Sequence, residues 1–346
     1  MSLTLRYFPV TLSLKRRFTI SGESRDAIGN IFVIIEKDGI TGIGEAAPDM
    51  RFGESMESAS GFFEALDSGR ITNPYDVEAC IAYMNSVSKG EFAAKAALEM
   101  ALHDWVGKKL GVGTHNLLQA PSSVGPKTSF TIGIDDPETI AEKINEAEPY
   151  PILKIKLGTE HDREIIQQVR SVSGKPVRVD ANESWKTLEQ AKEQVRFLSD
   201  YNVELIEQPM PAGEHDAMRK LKSFSSVPLV ADESFTGHEN LEELARQFDA
   251  VNIKLMKIGS ISHSLRNLHQ ARKAGLKVMA GSMIESSLAD TATAILSMWA
   301  DYADLDGHLL LKDDPCNGFV INAGGEVVLN DKPGLGVELN ETMVMG

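Results

Sequence analysis

The hydrophobic pattern divides the chain near residue 120. Before it, apolar residues 31–36 and 41–45 flank Asp38-Gly39, which predicts two antiparallel strands joined by a tight turn. Residues 91–109 repeat apolar positions at close to a helical period and are followed by Gly111, so a buried helix is predicted there. Residues 1–122 are therefore predicted to form an α+β domain.

After this point, short apolar runs alternate with longer helix-like segments. The runs lie at residues 128–132, 152–156, 177–180, 204–207, 229–232, 251–254, 277–280 and 303–306. Consecutive runs end 22 to 27 residues apart, which leaves room for one strand, one helix and two short loops in each unit. This spacing predicts a (β/α) barrel over residues 123–317, and it fits a barrel better than an open sheet.

The last segment, residues 318–346, is predicted to return to the first domain. Residues 319–321 and 327–329 are apolar and flank Gly324-Gly325, a pattern typical of a hairpin. The predicted fold class is α/β: a modified TIM (β/α) barrel with an α+β capping domain that is formed by the N-terminal region and the C-terminal tail.

Composition and charge narrow the functional classes. The chain has 50 acidic and 35 basic residues, and its formal charge of −15 disfavours binding to nucleic acid or to an anionic membrane. The two cysteines, Cys80 and Cys316, lie far apart and suggest neither a disulfide framework nor a zinc site. The start does not resemble a signal peptide, and no apolar run reaches the roughly 18 residues of a membrane span. A cytoplasmic protein that acts on a small molecule is expected.

Three consecutive apolar runs each end in an acidic residue. In a (β/α) barrel, the carboxyl ends of the strands form the face that normally carries the active site. The acidic residues are Asp180, Glu207 and Asp232. One such acid alone is usually a strand-end group paired with a neighbour. Three in register on adjacent strands favour a metal site, and carboxylates are the ligands that Mg²⁺ prefers.

Lysines occur at the second and sixth runs, on opposite sides of the predicted barrel. Lys154 and Lys156 alternate with apolar residues, so both should point inward, while Lys254 ends the sixth run. Burial or a neighbouring cation lowers a lysine pKa enough for the group to act as a base. The pattern predicts a pair of acid/base lysines, with Lys257 as the nearby competitor for Lys254.

Five ordered strings resemble the muconate-lactonizing subgroup of the enolase superfamily, and the resemblance covers nearly the whole chain. They are Leu153-Lys154-Ile155-Lys156, Val179-Asp180-Ala181-Asn182, Ile206-Glu207-Gln208-Pro209, Ala231-Asp232-Glu233-Ser234 and Asn252-Ile253-Lys254. The resemblance implies that Lys156 and Lys254 are the catalytic pair. It also implies one Mg²⁺ per subunit, bound by Asp180, Glu207 and Asp232, and a homo-oligomer.

The eighth run bears on the reaction, because the subgroup contains epimerases, cycloisomerases and dehydrating synthases. Asp304-Leu305-Asp306 resembles the Asp-x-Asp motif with which dipeptide epimerases hold the substrate's α-ammonium group. Residues 281–287 resemble the seventh-strand loop of the epimerases, in which Ser282 and Ile284 would contact the peptide. Thr131 and Lys154 complete the predicted substrate-binding set.

The expected function is Mg²⁺-dependent epimerisation of a dipeptide at the α-carbon of its C-terminal residue, by proton transfer between two bases through an enediolate. One alternative is a cycloisomerase or an o-succinylbenzoate synthase of the same subgroup. The alternative of another class is a non-catalytic binding protein that kept the barrel.

Substrate specificity is expected to lie in two capping-domain segments, residues 14–30 and 49–55. Arg25 could pair with an acidic side chain, as in Ala-Glu, whereas Phe18, Met50 and Phe52 could enclose an apolar one. No arginine is clearly marked as an anion clamp. A small or hydrophobic dipeptide is therefore slightly favoured over Ala-Glu.

Overall fold

The computed structural model describes residues 2–345. Its N-terminal part is an antiparallel sheet covered by helices. The elements are β1 (Thr4–Ile20), β2 (Glu23–Lys37), β3 (Ile40–Ala46), α1 (Met56–Ala65), α2 (Val77–Val87), α3 (Phe92–Leu110) and α4 (Thr114–Leu117). Asp38 and Gly39 join β2 to β3 with φ angles of 54° and 74°, as a tight hairpin turn requires.

Four of these elements, β1, α1, α2 and the single-turn α4, were not predicted from the hydrophobic pattern. Strand β1 pairs with β2 along most of its length, but its buried residues are confined to Leu12 and Leu14. In α2 the buried residues are Cys80 and Met84. Elements that bury so few side chains carry a weak periodic signal, which is why the pattern missed them.

Within residues 2–345, eight parallel strands form one sheet in chain order. After β4 (Val124–Lys127), they are β5 (Phe130–Ile132), β6 (Leu153–Lys156), β7 (Val177–Asp180), β8 (Val203–Glu207), β9 (Leu229–Ala231), β10 (Ala250–Ile253), β11 (Lys277–Gly281) and β12 (Tyr302–Asp304). The helices between them are α5 (Pro137–Glu146), α6 (Asp162–Val172), α7 (Leu188–Ser199), α8 (His215–Phe224), α9 (Leu241–Leu244), α10 (Leu255–Ile258), α11 (Ile261–Lys273) and α12 (Ser287–Ser297). Each predicted run overlaps one strand, and the predicted fold class is confirmed.

Side chains bridge the seam between the first and last barrel strands. The Oγ of Ser129 donates to Oδ1 of Asp304 at 2.7 Å, and the backbone N–H of Leu305 donates to Oγ1 of Thr128 at 2.8 Å. The backbone N–H of Thr131 donates to Asp306. The acids of the eighth strand are therefore held by residues of the first.

The C-terminal segment contacts both parts of the molecule. It contains β13 (Cys316–Asn317), β14 (Val320–Ile321), β15 (Glu326–Val328), β16 (Glu338–Leu339) and α13 (Glu341–Met345). The β14–β15 hairpin pairs with β4 beside the barrel, and the N–H of Leu335 donates to Asp104 of α3 at 2.8 Å. The division into domains at residues 122 and 317 stays a prediction, and its outer limits, residues 1 and 346, lie outside the described residues.

Helix α3 lies between the N-terminal sheet and the barrel. It packs against β3 on one side and α10 on another, so apolar residues recur around nearly its whole circumference. Even so, among residues 2–345 no helix combines the length and apolar character needed to cross a membrane.

Candidate active site

Three carboxylates lie together at the carboxyl ends of neighbouring strands. Asp180 ends β7, Glu207 ends β8 and Asp232 directly follows β9. All three side chains are buried. One carboxylate oxygen from each residue lies within 4.8 Å of one oxygen from each of the other two. Mg²⁺ takes oxygen ligands of this kind, so the donor set present here fits the ion.

Two lysines of β6 contact this cluster. Nζ of Lys154 lies 3.1 Å from Oδ2 of Asp180 and 2.7 Å from Oε2 of Glu207. Nζ of Lys156 lies 2.7 Å from the same oxygen of Asp180. Although burial opposes ionisation, these two ammonium groups hold the pKa of Asp180 below its ordinary value, so the carboxylate is kept charged.

Two further lysines contact the third acid. Nζ of Lys254 lies 2.8 Å from Oδ2 of Asp232, and Nζ of Lys257 lies 2.5 Å from Oδ1. Lys257 also donates to the backbone carbonyls of Asp232 and Asn252, and its side chain is fully enclosed. Lys254 lines the cavity described below and Lys257 does not, which supports the choice of Lys254 as the catalytic candidate.

Lys156 and Lys254 stand on opposite sides of the barrel mouth. Lys156 ends β6 and Lys254 directly follows β10, and β7, β8 and β9 separate these strands in the sheet. In an eight-stranded barrel this spacing corresponds to half of the circumference. A molecule held between the two lysines would meet one ammonium or amine on each face.

The two acids of the eighth strand have different partners. Oδ2 of Asp304 accepts a hydrogen bond from Lys154 at 2.6 Å. Asp306 accepts hydrogen bonds from the backbone N–H and the hydroxyl of Thr131, and among residues 2–345 it forms no ion pair. Burial and the charge of Asp304 raise the pKa of Asp306 to about 7. A cation entering the cavity would stabilise the charged form of Asp306.

A cavity at this end of the barrel collects most of the predicted residues. Its lining includes Phe18, Arg25, Thr131, Lys154, Lys156, Lys254, Ser282, Ile284, Asp304 and Asp306. Met50 and Phe52 are not part of the lining. Met50 is 72% exposed, because the short turn at residues 50–52 directs it to solvent, and Phe52 lies with its ring centre 5.8 Å from Nζ of Lys257.

Arg25 is already paired with acidic neighbours. Its Nη2 donates to Oε2 of Glu23 at 2.9 Å, its Nε donates to the other oxygen of that carboxylate, and it lies 3.7 Å from Asp49. Within the two capping-domain segments, residues 14–30 and 49–55, which together form the lid, the charge of Arg25 is therefore neutralised.

The sequence matches two family models over most of its length. Residues 3–119 match the mandelate racemase/muconate lactonizing enzyme N-terminal domain, and residues 136–343 match the enolase C-terminal domain-like family. The chain belongs to the enolase superfamily.

Individual members of the superfamily align along nearly the whole chain. An L-Ala-D/L-Glu epimerase from Bacteroides thetaiotaomicron is 37% identical over 97% of this chain and 88% of that protein. An L-Ala-D/L-amino acid epimerase from Pedosphaera parvula is 38% identical over 93% of this chain and 95% of that protein. The crystal structure of a dipeptide epimerase from Cytophaga hutchinsonii, complexed with Mg and D-Ala-L-Val, is similar with a TM-score of 0.92 and 28% identity, over 100% of this chain and 98% of that one.

The structure adds to this enolase-superfamily site three residues for which the sequence predicted no role. Asn182 and Arg51 line the cavity, and Glu233 lies beside Asp232 with 7% of its side chain exposed. Asn182 and Glu233 each follow a metal-ligand candidate closely in the sequence, a signal that could have marked them. Arg51 lies within the segment 49–55 in which specificity residues were expected, but no sequence signal indicated its contact with the barrel.

Proposed function

We propose that this chain is an isomerase that epimerises dipeptides at the α-carbon of the C-terminal residue, with Mg²⁺ as its cofactor. The observation that carries the proposal is the placement of Lys156 and Lys254 on opposite sides of one cavity, with Asp304 and Asp306 at its edge. An inversion at carbon requires proton transfer on both faces, and two opposed bases provide it.

The metal site and the lysines have separate tasks in this proposal. When bound by Asp180, Glu207 and Asp232, Mg²⁺ supplies positive charge that stabilises the extra negative charge developing on the substrate carboxylate as the α-proton leaves. One of the two lysines removes that proton, and the other returns a proton to the opposite face. In the reverse direction the two lysines exchange roles.

The remaining polar groups position the peptide. Asp304 and Asp306 bind the α-ammonium group of the N-terminal residue, since two carboxylates at a strand end form a cation site. Thr131 holds Asp306 in place through two hydrogen bonds, and Lys154 holds Asp304. Ser282 and Ile284 line the cavity beside them and contact the peptide backbone.

The lid favours a small or apolar second residue over glutamate. Arg25 would be the natural partner of an acidic side chain, but Glu23 and Asp49 already neutralise it. Apolar side chains of the lid, including Phe18 and Ile28, line the same cavity. Ala-Val and Ala-Leu are thus better candidates than Ala-Glu, because an acidic residue would have to displace existing ion pairs.

Proton NMR of dipeptides in D₂O with enzyme and Mg²⁺ tests the proposal. The expected result is loss of the α-proton signal of the second residue together with appearance of the other diastereomer, faster for Ala-Val than for Ala-Glu. Lys156→Ala should abolish the epimerisation. If no dipeptide in a broad library exchanges its α-proton, the epimerase proposal is wrong and the cycloisomerase-type reactions become the candidates to assay.

A further inference from the structure

One ion pair at the cavity mouth joins the capping domain to the barrel. Arg51 lies in the turn at residues 50–52, and its Nη1 is 3.5 Å from Oε1 of Glu233 in the loop that follows β9. Its Nη2 is 3.8 Å from Oε2 of Glu23 in the β1–β2 hairpin. Arg51 thus contacts both the lid hairpin and the barrel.

Glu233 also contacts Asn182, the polar residue beside Lys156. Oε1 of Glu233 accepts a hydrogen bond from Nδ2 of Asn182 at 3.2 Å. Oδ1 of Asn182 in turn accepts a hydrogen bond from Nζ of Lys156 at 3.2 Å. The three contacts form a continuous path from Arg51 to Lys156.

The amide of Asn182 has a single orientation that satisfies both neighbours. A lysine ammonium group only donates hydrogen bonds, so the amide oxygen must face Lys156, and the amide nitrogen then faces Glu233. The backbone also fixes this residue, since Asn182 has a φ of 41° and its N–H donates to Oδ1 of Asp180 at 3.0 Å. Asn182 is therefore a rigid link between Glu233 and Lys156.

The second catalytic lysine has a different partner. Nζ of Lys254 donates to Asp232, which also binds Lys257, and neither Asn182 nor Arg51 contacts it among the described residues. The path from the lid therefore ends at one of the two bases.

We infer that Arg51, Glu233 and Asn182 form a relay that couples closure of the capping-domain lid to the position of Lys156. When the lid turn lies on the barrel, Arg51 holds Glu233, Glu233 holds the amide of Asn182, and Asn182 holds the amine of Lys156 toward the substrate. Asn182, Glu233 and Arg51 are positioning residues for one base and not for the other. This inference rests on the proposed epimerase function.

Hydrogen exchange distinguishes the two bases. When a lysine amine takes the α-proton, the electrons of the broken C–H bond remain on the substrate as the enediolate, and the resulting ammonium group also carries two hydrogens from solvent. In D₂O it can return a deuteron to the same face, which gives exchange without inversion. Exchange measured separately from each epimer therefore reports on each lysine separately.

The experiment measures α-proton exchange from each pure epimer of Ala-Val or of the best dipeptide in the library, in D₂O with Mg²⁺. The epimer that depends on Lys156 is assigned with Lys156→Ala, and the other with Lys254→Ala.

Two variants cut the relay. Arg51→Gln removes the ion pair with Glu233, at the lid end of the relay. Asn182→Gly removes the side-chain amide, and glycine tolerates the positive φ at this position. In both, exchange from the Lys156-dependent epimer should slow by about 10- to 100-fold, the range expected when a reacting group is misplaced by about 1 Å.

Another arginine of the capping domain, in the β1–β2 hairpin, provides the control. Arg17 pairs with Asp26 within the β1–β2 hairpin, both side chains are about two-thirds exposed, and among residues 2–345 Arg17 forms no hydrogen bond or ion pair with a barrel residue. Arg17→Gln should leave exchange from both epimers at the wild-type rate. Exchange from the Lys254-dependent epimer should also stay at the wild-type rate in Arg51→Gln and Asn182→Gly.

Each other outcome overturns the relay in a recognisable way. Equal slowing from both epimers would assign Arg51 and Asn182 to substrate binding or to the metal site, and no slowing in folded variants would remove them from catalysis. If the wild-type protein exchanges no dipeptide at all, the proposed function fails first, and the relay fails with it.

Discussion

Asp304 and Asp306 occupy equivalent-looking positions but differ in what surrounds them. Asp304 faces the ammonium group of Lys154, and although burial opposes ionisation, that charge holds its pKa below the ordinary value. Asp306 has the hydroxyl and N–H of Thr131 as partners, and its pKa is raised to about 7 by burial and by Asp304. Asp306 is thus the acid that gains most from a bound ammonium group.

Replacing Asp306 by asparagine tests this role. Asp306→Asn should raise KM for the dipeptide by about 10- to 100-fold, since a charge-assisted hydrogen bond contributes about 1.5–3 kcal/mol. The side chain keeps its shape and can still accept from Thr131, so the fold should be unaffected. Steady-state kinetics on the free and the N-acetylated dipeptide provide the check. The variant should lose most of the wild-type preference for the free amine, and an unchanged preference would contradict an ammonium site at Asp306.

At the scale of elements, the capping sheet and helix α3 approach each other so closely that glycine is required. Gly42 and Gly44 of β3 face Ala101 and Ala97 of α3, and a methyl group on either glycine would overlap with the backbone carbonyl of the facing alanine. Backbone atoms cannot yield as the end of a flexible side chain can. This contact fixes how the sheet, and with it the lid, lies relative to the barrel.

Gly44→Ala should therefore destabilise the protein by about 1–3 kcal/mol or more, the cost of overpacking a core. Gly61→Ala is the matched control, because Gly61 lies on the exposed face of α1 and a methyl group there meets nothing within 4 Å. It should stabilise the protein by about 0.5–1 kcal/mol through helix propensity. Urea unfolding gives both values, and equal effects of the two substitutions would contradict the close contact.

A buried carboxyl group joins β3 to helix α12. Oε1 of Glu45 accepts hydrogen bonds from Nδ2 of Asn30 at 2.7 Å and from the N–H of Ser286 at 3.0 Å, and its other oxygen accepts from the N–H of Ala289. Burial raises the pKa of Glu45 to about 7 despite these bonds. The joint between the cap and the barrel is therefore sensitive to pH.

The sign of this effect follows from linkage. The folded chain binds a proton at Glu45 more tightly than the unfolded chain, whose ordinary pKa is 4.5, so this contribution is fully present below about pH 4.5 and is lost as the pH rises through about 7. At about 1.4 kcal/mol per pH unit the loss amounts to about 3 kcal/mol. Urea unfolding at pH 5 and pH 8 measures most of this loss, which begins near pH 4.5.

Glu45→Gln isolates the contribution of this residue. Asp306, whose pKa is raised by burial and by the charge of Asp304, remains in both proteins, so its contribution cancels in the comparison. The loss of stability between pH 5 and pH 8 should be smaller in the variant than in the wild type. An identical pH dependence would mean that Glu45 is ionised in the folded protein throughout this range.

At the scale of the whole molecule, the barrel gathers charges that are far apart in the sequence. Carboxylates from β7, β8 and the end of β9 meet lysines from β6 and the end of β10 at one mouth. The capping domain covers this mouth with the β1–β2 hairpin and the turn at residues 50–52. An ion pair between Glu23 of the hairpin and Arg51 of the turn joins the two. A homo-oligomer and a cytoplasmic location stay predictions.

Mg²⁺ should stabilise the folded protein by mass action, because the three acids meet only in the folded state. At a concentration of about 100 times Kd, the free energy of unfolding should increase by about 2.7 kcal/mol, and chelation should reverse the increase. Asp180→Asn should abolish this dependence, whereas Asp313→Asn, at an exposed position, should retain it. Thermal unfolding with and without Mg²⁺ gives the comparison, and an equal response in both variants would place the ion elsewhere.

The barrel could be predicted because each of its strands carries a complete local signal. A buried parallel strand is a short apolar run with a polar residue at its carboxyl end, as in Leu229–Ala231, which Asp232 follows. Strand β1 could not be predicted in the same way, because it pairs along an exposed edge and buries little of its surface. The lid side chains were the least predictable, since Met50 and Phe52 lie in a turn whose direction depends on the cap as a whole.

By itself, the sequence determined the barrel class and the candidate metal and lysine residues, because strand period and strand ends are local properties. Only the tertiary structure decided which groups from distant segments meet. Glu45 contacts Ser286 across 241 residues of chain, and Arg51 of the capping domain reaches Glu233 of the barrel. Such contacts follow from how whole elements pack, and no short stretch of sequence contains that information.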